Sequence, residues 1–372
     1  MTAATSTQVP FLDLQALHRE LRAPLAEAAL RVLDSTRVLL GPELEAFEDS
    51  WAKHTGARCA VGVGSGLDAL TLALRGLGVG PGDEVIVPAH TFVATWLAVV
   101  HVGAMPVPVD VSPATGFWEP DAVAAAIGSR TRVLMPVHLY GQPVDLDPLL
   151  ALAGRHGLAV LDDAAQAHGA RYRGRRLGGL THATAWSFYP GKNLGALGDG
   201  GAVTTSDLGL AARIRSLRNY GSTEKYVHEE IGWNSRLDEL QAALLSVKLG
   251  RLDEHNGRRA RVAERYAEGL TDTGLVLPPA IPATTPVWHL YVARTPHREA
   301  LRAHLATRGV ETLIHYPIPP HRQRAFAGTP LAMTAQPVAE LFADEVLSLP
   351  MGPHLAEQEQ ARVIDAIREF RP

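Results

Sequence analysis

A lysine in a glycine-rich loop follows a pair of aspartates at a distance of about thirty residues. The aspartates are Asp162 and Asp163, which end an apolar run over residues 158–163, and the lysine is Lys192. A lysine amine can form a Schiff base with the aldehyde of pyridoxal phosphate. A carboxylate can hold the pyridine nitrogen of that cofactor in its protonated form, so that the ring withdraws electrons. These residues predict pyridoxal phosphate chemistry, with Lys192 and Asp163 as the catalytic pair.

The ordinary interpretation of Lys192 is a solvated surface charge, as most lysines are. Its loop indicates a different environment, because apolar strand sequence flanks it and Gly191 and Gly195 let the backbone approach closely. A desolvated lysine has a lowered pKa and a more nucleophilic amine. Asp163 is likewise unusual as a charge that ends an apolar strand. On spacing alone, the cofactor interpretation and the ordinary one are about equally favoured.

A glycine-rich turn could hold the phosphate of the same cofactor. Gly64, Ser65 and Gly66 follow a predicted strand and precede a predicted helix. Free N–H groups and the positive end of a helix dipole bind phosphate at such a position, although many such turns only redirect the chain. Ser187, in the strand before the lysine loop, could add a hydroxyl group. Phe92 follows another strand, where its ring could equally stack on the cofactor or pack in the core.

These residues lie at the ends of short apolar segments that alternate with helical ones. Helices are predicted over residues 43–54, 67–76, 91–102, 120–127 and 146–156. Strands are predicted over residues 60–63, 84–87, 106–110, 132–138, 158–163, 183–188 and 201–205. This alternation predicts an α/β fold, with a mostly parallel sheet flanked by helices on both faces. Ligands bind at the carboxyl ends of strands in such sheets.

The pattern changes in the last third of the chain. Residues 237–254 are predicted to form one long helix, and residues 258–270 a further helical segment. Proline-rich sequence and a smaller α/β segment follow. We therefore predict a large domain over residues 1–250, which includes an N-terminal helical segment, and a small C-terminal domain over residues 251–372.

Composition narrows the class of protein. The chain of 372 residues is 46% hydrophobic and 20% charged, which is typical of a globular protein. Its net charge of -4 argues against a nucleic-acid-binding surface. The one basic cluster, over residues 171–176, has the sequence of a short hairpin tip and is interpreted as a solvated turn rather than a polyanion site.

The cysteine count and the distribution of apolar residues indicate where in the cell the protein is located. Cys59 is the only cysteine, so the chain can form neither an internal disulfide nor a cysteine-rich zinc site, and no metal site is predicted. Residues 1–10 lack a basic segment followed by an apolar stretch, so no secretory signal is predicted. The apolar stretch over residues 96–109 is too short and interrupted to cross a membrane. The predicted location is the cytoplasm, with no membrane partner.

Seven stretches, which span most of the chain, form a recognisable series. They are residues 64–70, 88–95, 136–143, 162–169, the loop around Lys192, residues 232–242 and residues 315–317. In content and order they resemble the DegT/StrS family of nucleotide-sugar aminotransferases, a branch of the fold-type-I pyridoxal phosphate enzymes. The resemblance implies a large domain with a mostly parallel sheet and a smaller C-terminal α/β domain.

The resemblance also implies roles for single residues at the cofactor. Lys192 would form the Schiff base and shuttle protons, and Asp163 would pair with the pyridinium. Gln166 would contact the ring hydroxyl, and Phe92 would stack on the ring. Asn234 would reach the phosphate of the neighbouring subunit's cofactor, which implies a homodimer. The phosphate itself would be held by Gly64, Ser65, Gly66 and Ser187.

Substrate contacts are implied by likeness to family members that act on 3-keto sugars. The residues at those positions are Tyr189, Lys225, His315 and Tyr316. The segment over residues 219–226 also looks most like the 3-keto branch. Members that remove a hydroxyl group carry histidine in place of the lysine, so the retention of Lys192 favours transamination.

The sequence thus predicts an aminotransferase that moves an amino group from L-glutamate to a nucleotide-linked keto sugar. The predicted acceptor is C3 of a dTDP-3-keto-6-deoxyhexose, in amino-deoxysugar biosynthesis. One alternative is a 4-aminotransferase for a 4-keto sugar on dTDP, GDP or UDP, and another is an aminotransferase for a cyclitol ketone. A non-catalytic regulator or scaffold with the same fold is a third, which the intact lysine, aspartate and phosphate turn disfavour.

Overall fold

The computed structural model of the protein describes residues 8–372. Residues 1–7, on which the predicted absence of a secretory signal largely depends, lie outside the described residues. Within the described range, no helix has both the length and the apolar character needed to cross a membrane.

Helices and strands alternate through the first two thirds of the described chain. The helices are α1 (Leu14–Glu20), α2 (Arg22–Ser35), α3 (Pro42–Thr55), α4 (Gly66–Gly76), α5 (Val93–His101), α6 (Pro120–Ala126), α7 (Leu146–His156), α8 (Leu208–Leu217), α9 (Glu239–Leu249), α10 (Leu252–Gly269), α11 (Arg298–Thr307), α12 (Pro337–Glu345) and α13 (Glu357–Glu369). The strands are β1 (Cys59–Val63), β2 (Glu84–Pro88), β3 (Met105–Val109), β4 (Thr131–Leu134), β5 (Ala159–Asp163), β6 (Arg171–Tyr172), β7 (Arg175–Arg176), β8 (Ala183–Ser187), β9 (Gly201–Thr205), β10 (Ser222–Glu224), β11 (Val227–His228), β12 (Thr284–Thr285), β13 (Tyr291–Arg294) and β14 (Val346–Leu349).

Seven strands form the main sheet, in the order β1-β9-β8-β5-β4-β2-β3. The pairs between β8, β5, β4, β2 and β3 are parallel, whereas β9 is antiparallel to both β1 and β8. The predicted α/β fold with a mostly parallel sheet is therefore confirmed. The carboxyl ends of β1, β5 and β8 and the first residue of β9 lie at one edge of the sheet.

Two hydrophobic cores cover the two faces of this sheet. Side chains alternate between faces along a strand, so Ile86 lies in one core while Val85 and Val87 lie in the other. In β8, Trp186 packs in the first core and Ala185 in the second. Burial on both faces explains why these strands are continuous apolar runs in the sequence.

The structure corrects the predicted helix over residues 237–254. Helix α9 ends at Leu249 and α10 begins at Leu252, and α10 then continues without interruption through Gly257. Gly250 lies at the end of α9, where its N–H donates to the carbonyl of Lys248. Glycine is a poor helix former, but the interruption falls at Gly250 and not between residues 254 and 258.

Two other predicted elements begin or end elsewhere. The strand predicted over residues 132–138 ends at Leu134, and Pro136, which has no N–H to donate to a ladder, follows soon after. The helix predicted from residue 91 begins at Val93, because Phe92 is extended and lies at the N-cap.

The hairpin predicted at residues 171–176 is present as β6 and β7. Its Arg173 pairs with Asp147.

A separate core lies in the C-terminal part of the chain. It contains Tyr266 from α10, Tyr291 from β13 and Leu349 from β14, and Val9 near the N-terminus joins it. Strands β13 and β14 pair in an antiparallel manner. The division of the chain near residue 250 stays a prediction.

Candidate cofactor and substrate site

The loop that carries Lys192 connects β8 to β9 and is fixed from several sides. The Lys192 N–H donates to the carbonyl of Tyr189 over 2.8 Å. A side chain at Gly195 would collide with the carbonyl of Pro190, so this position needs glycine. Behind the loop, the amine of Lys248 donates to the carbonyl of Gly195 over 2.6 Å. The loop therefore presents Lys192 from a held backbone.

Asn193 holds the same loop against the C-terminal part of the chain. Its Nδ2 donates to Asn256 Oδ1 and to the carbonyl of Val287, each over 2.9 Å. Its Oδ1 lies 3.1 Å from His289 Nδ1. The sequence did not predict Asn193 or His289 as site residues, because the hydrogen bonds of Asn193 join it to residues that are distant in the sequence.

Burial controls the charge of the Lys192 amine. Desolvation lowers its pKa to about 8, and the charge of Asp163 opposes that shift. A lysine with this pKa has a larger neutral, nucleophilic fraction near neutral pH than a solvated lysine. No described residue forms a hydrogen bond with the Lys192 Nζ atom, which leaves the amine available for reaction.

Asp163 is a buried carboxylate at the carboxyl end of β5. Burial raises its pKa, and this effect is opposed by hydrogen bonds from Thr95 and from the Ala165 N–H and by the charge of Lys192. Thr95 Oγ1 donates to Asp163 Oδ2 over 2.9 Å. The Ala165 N–H donates to Oδ1 over 3.2 Å. Both bonds orient the carboxylate and favour its charged form.

Thr95 is a site residue that sequence reasoning missed. Its hydroxyl lies 2.8 Å from the hydroxyl of Thr91, which precedes the helix by two residues. A pair of threonines spaced four residues apart beside a predicted strand end was the available signal. The spacing alone does not identify Asp163 as the acceptor, because that residue lies 68 positions away.

The glycine-rich turn and Ser187 meet at the same edge of the sheet. Ser65 is the N-cap of α4, and its Oγ accepts the Asp68 N–H over 3.1 Å. A Cβ atom placed on Gly66 would lie 2.5 Å from Ser187 Cβ, so only glycine allows this approach. The start of α4 and the Ser187 hydroxyl thus lie side by side, an arrangement that fits phosphate binding.

The Gly64 N–H is engaged by a neighbouring hydroxyl group. Its N–H donates to Ser235 Oγ over 3.0 Å, and that hydroxyl donates in turn to Asp68 Oδ2 over 2.9 Å. The Gly64 N–H is therefore used to hold the turn. Its part in binding phosphate stays a prediction.

Gln166, Tyr316 and Phe92 form a connected group. Gln166 Nε2 donates to the Tyr316 hydroxyl over 3.0 Å. The Tyr316 ring lies against the Phe92 ring, with centroids 5.1 Å apart. Phe92 is 49% exposed, so its ring is a surface beside the site and not part of the core. This favours the stacking interpretation of Phe92 over the core interpretation.

His315 and Tyr189 come from two different segments of the chain. His315 Nδ1 lies 2.7 Å from Ser348 Oγ. Burial and the charge of Lys192 lower the pKa of His315 to about 4, so the imidazole is neutral at neutral pH. Tyr189 is 60% exposed in the lysine loop. The structure therefore brings Tyr189, His315 and Tyr316 to the Lys192 region.

Lys225 and Asn234 are placed differently from the other predicted site residues. Lys225 lies between β10 and β11 in an exposed hairpin, with its amine 5.1 Å from the centroid of the Tyr226 ring. Asn234 is exposed and pairs through its backbone with Asn219. No contact within the described chain joins either side chain to Lys192. The substrate contact of Lys225, and the contact of Asn234 with the cofactor phosphate of a neighbouring subunit, stay predictions.

These residues fit pyridoxal phosphate. An amine with a lowered pKa, a buried oriented carboxylate, an amide donor and a helix start bordered by a hydroxyl match the aldehyde, the pyridinium, the ring oxygen and the phosphate of that cofactor. The absence of a side chain at Gly66 lets the start of α4 approach Ser187, which a Cβ atom at position 66 would prevent. The donor set contains no arrangement that conflicts with the cofactor.

Comparison with known proteins gives a consistent result over the whole chain. The sequence profile of the DegT/DnrJ/EryC1/StrS aminotransferase family matches residues 20–368. The chain is 57% identical over 368 residues to dTDP-3-amino-3,4,6-trideoxy-alpha-D-glucose transaminase from Streptomyces venezuelae, covering 99% of this chain and 97% of that protein.

Solved structures agree with the sequence comparison. The crystal structure of S. venezuelae DesV superposes with a TM-score of 0.95 at 58% identity, covering 97% of this chain and 98% of that one. The structure of NtdA from Bacillus subtilis with bound cofactor PMP superposes with a TM-score of 0.90 at 31% identity, covering 99% of this chain and 86% of that one.

Proposed function

The chain belongs to the DegT/DnrJ/EryC1/StrS aminotransferase family, as its sequence predicted, and we propose that it aminates C3 of a dTDP-linked 3-keto-6-deoxyhexose with L-glutamate as donor. It is a pyridoxal phosphate-dependent aminotransferase. The observation that carries the proposal is the grouping of Lys192, Asp163 and the Ser65–Ser187 turn region in a chain so similar to the S. venezuelae transaminase.

When bound, pyridoxal phosphate supplies an electron-withdrawing ring that makes a hydrogen on the nitrogen-bearing carbon acidic. In the first half-reaction, the Lys192 amine would take the Cα proton of L-glutamate and become an ammonium. In the second, the Lys192 ammonium would return a proton to C3 of the sugar and become neutral again. Asp163 would place a negative charge next to the ring nitrogen, and Thr95 and the Ala165 N–H orient its carboxylate.

The substrate-facing residues would orient the sugar. Tyr316 and His315 border the space near Lys192, and Tyr189 is exposed at its side. Orientation matters because a displacement of about 1 Å at the reacting carbon costs roughly a hundredfold in rate. These residues would hold the C3 carbonyl within reach of the amine and leave the C4 position outside it.

Regiochemistry gives the first test. We expect rapid amination of dTDP-3-keto-6-deoxyhexoses and poor amination of the 4-keto isomers, because the 4-keto carbonyl lies one carbon away from the reacting position. Each sugar is incubated separately with glutamate, and the product is identified by mass and by its NMR position. The 3-keto sugars are supplied with and without a C4 hydroxyl.

Efficient amination of the 4-keto sugar, with the 3-keto sugars untouched, would contradict the C3 assignment and leave the aminotransferase reaction intact. A cyclitol ketone in the same panel tests the other alternative. Bleaching of the cofactor absorbance by glutamate alone separates an active transaminase from a scaffold in every case.

A homodimer with shared sites is part of the proposal. Asn234 is exposed in the single chain. Close to it in sequence, Tyr226 and Ile231 are each 84% exposed, and exposed apolar side chains grouped in this way are typical of an association surface. The proposal places Asn234 at the cofactor phosphate of the partner.

Subunit mixing tests this arrangement. We expect Asn234→Asp and Lys192→Ala variants each to be inactive, and an equal mixture to recover about a quarter of the parental activity. Random exchange makes half of the dimers mixed, and each mixed dimer has one site with both native residues. If Asn234 acts within its own chain, a mixture proven to exchange subunits will show no recovery.

A further inference from the structure

Tyr140 has an unusual backbone at the edge of the site. It lies in the short turn Leu139–Gly141 with φ 62° and ψ 7°, a left-handed conformation that is rare for aromatic residues. Such strain persists where surrounding contacts fix it and is frequent near functional sites. Here the Tyr140 N–H donates to Gln166 Oε1 over 2.6 Å, and its carbonyl accepts the Leu290 N–H over 3.2 Å.

The first of these bonds sets the orientation of the Gln166 amide. Because Oε1 accepts from Tyr140, the NH₂ group of Gln166 must point the other way, where it donates to the Tyr316 hydroxyl. The backbone of Tyr140 therefore acts through Gln166 on the side chain of Tyr316.

The hydroxyl of Tyr140 contacts the same segment at its other residue. It bonds to the carbonyl of His315 and lies 2.8 Å from His90 Nε2. A carbonyl oxygen can only accept, so the Tyr140 hydroxyl donates its hydrogen bond to the His315 carbonyl. The hydroxyl oxygen then accepts a hydrogen bond from the Nε2–H group of His90.

The surroundings of His90 keep its imidazole neutral, with one N–H group that can donate to Tyr140. It is buried, and its ring packs against Phe342 with centroids 4.9 Å apart. The guanidinium of Arg294 lies 4.1 Å from the centroid of the same Phe342 ring. Burial and the charge of Arg294 lower the pKa of His90 to about 3, so the imidazole stays neutral and donates through one nitrogen.

We propose that Tyr140 is a positioning residue that holds the His315–Tyr316 segment against the sugar substrate, and that His90 orients its hydroxyl. The Tyr140 hydroxyl contacts the His315 carbonyl directly, and the Tyr140 N–H holds Gln166, which contacts the Tyr316 hydroxyl. One residue therefore restrains both His315 and Tyr316. This inference rests on the proposed function, in which His315 and Tyr316 face the sugar.

The variant Tyr140→Phe tests the inference in the holoenzyme. It removes the hydroxyl but keeps the ring and the backbone bond to Gln166. We expect KM for the keto sugar to rise about tenfold with kcat within about threefold, as for loss of one orienting hydrogen bond. The absorbance spectrum of the bound cofactor and the rate of the glutamate half-reaction should stay within about twofold of the parent.

A matched control is Tyr266→Phe, which removes another buried tyrosine hydroxyl. Tyr266 donates to the carbonyl of Pro350 over 2.9 Å in the C-terminal core. We expect Tyr266→Phe to lower the unfolding temperature without changing KM for the sugar. This control separates an effect of general destabilisation from an effect on the segment.

A second variant tests the link between His90 and Tyr140. We expect His90→Phe to raise the sugar KM in the same way, and the double variant His90→Phe/Tyr140→Phe to be no worse than Tyr140→Phe alone, because both remove one chain of contacts. Multiplied effects in the double variant would overturn the link.

An unchanged sugar KM in Tyr140→Phe would overturn the positioning role, and so would an equal loss in the glutamate half-reaction, since that would place the effect at the cofactor. The unmodified enzyme, assayed with the same sugars, tests the proposed function separately. If the parent enzyme aminates the 3-keto sugar and Tyr140→Phe has the same sugar KM, only the positioning role of Tyr140 is refuted and the proposed function stands.

Discussion

Replacement of Lys192 by alanine is expected to abolish turnover, with a loss of more than about a thousandfold. The variant removes the amine that, in the proposed function, both binds the cofactor covalently and moves the substrate proton. The visible absorbance of the lysine-linked cofactor should disappear with it. The measurement is the absorbance spectrum of the dialysed protein, followed by the glutamate half-reaction.

Two further variants make this prediction specific to the Lys192 amine. Lys192→Arg keeps a positive charge but cannot form the Schiff base, so we expect it to be as inactive as the alanine variant. Lys248 is the informative comparison, because burial lowers its pKa also to about 8. Its amine is engaged with the carbonyl of Gly195, so Lys248→Met should keep the lysine-linked absorbance. Retention of that absorbance in Lys192→Ala would refute the assignment.

The change Asp163→Asn is expected to lower the rate of both half-reactions more than about a hundredfold while cofactor remains bound. The amide has nearly the same shape as the carboxylate but offers no negative charge to the ring nitrogen. Binding should persist because the Lys192 and phosphate contacts are untouched. Cofactor content by absorbance and single-turnover rates with glutamate measure the two effects.

The neighbouring aspartate supplies the control for this change. Asp162 is buried one position earlier in β5, so its side chain points to the opposite face of the sheet. Its Oδ2 accepts from the Thr181 hydroxyl over 2.9 Å. We expect Asp162→Asn to affect the unfolding temperature but not the half-reactions of the folded enzyme. Near-parental rates in Asp163→Asn would mean that another group keeps the ring nitrogen protonated.

The positions of the residues proposed for the central chemistry could be predicted because they follow local rules. Asp163 and Ser187 end apolar strands, and the carboxyl ends of parallel strands meet at one edge of a sheet. The turn at Ser65 precedes a helix, and a helix start of this kind is a phosphate position that the residue types alone can indicate. These features require only strand periodicity and turn chemistry.

The rest of the site depends on contacts between distant segments. Tyr140 contacts residues that lie 26, 50 and 175 positions away, namely Gln166, His90 and His315. No periodicity of the sequence specifies such partners, nor the left-handed backbone that they hold. The interruption at Gly250 was missed for a different reason. Gly257 is tolerated within α10, so the presence of a glycine does not by itself decide where a helix ends.

The position of β9 decides when the site can form as the chain is made. β9 lies between β1 and β8, and its first residue, Gly201, pairs with Val63 on one side and with Ser187 on the other. Until the ribosome has released the chain beyond residue 205, the strand pairing that links β1 to β8 through β9 cannot form, and only the packing of α4 on β8 holds the turn beside Ser187. Such long-range pairing forms slowly compared with local structure. We therefore expect the phosphate end of the site to be held rigidly only after β9, the last of the seven strands to be synthesised, has paired on both sides.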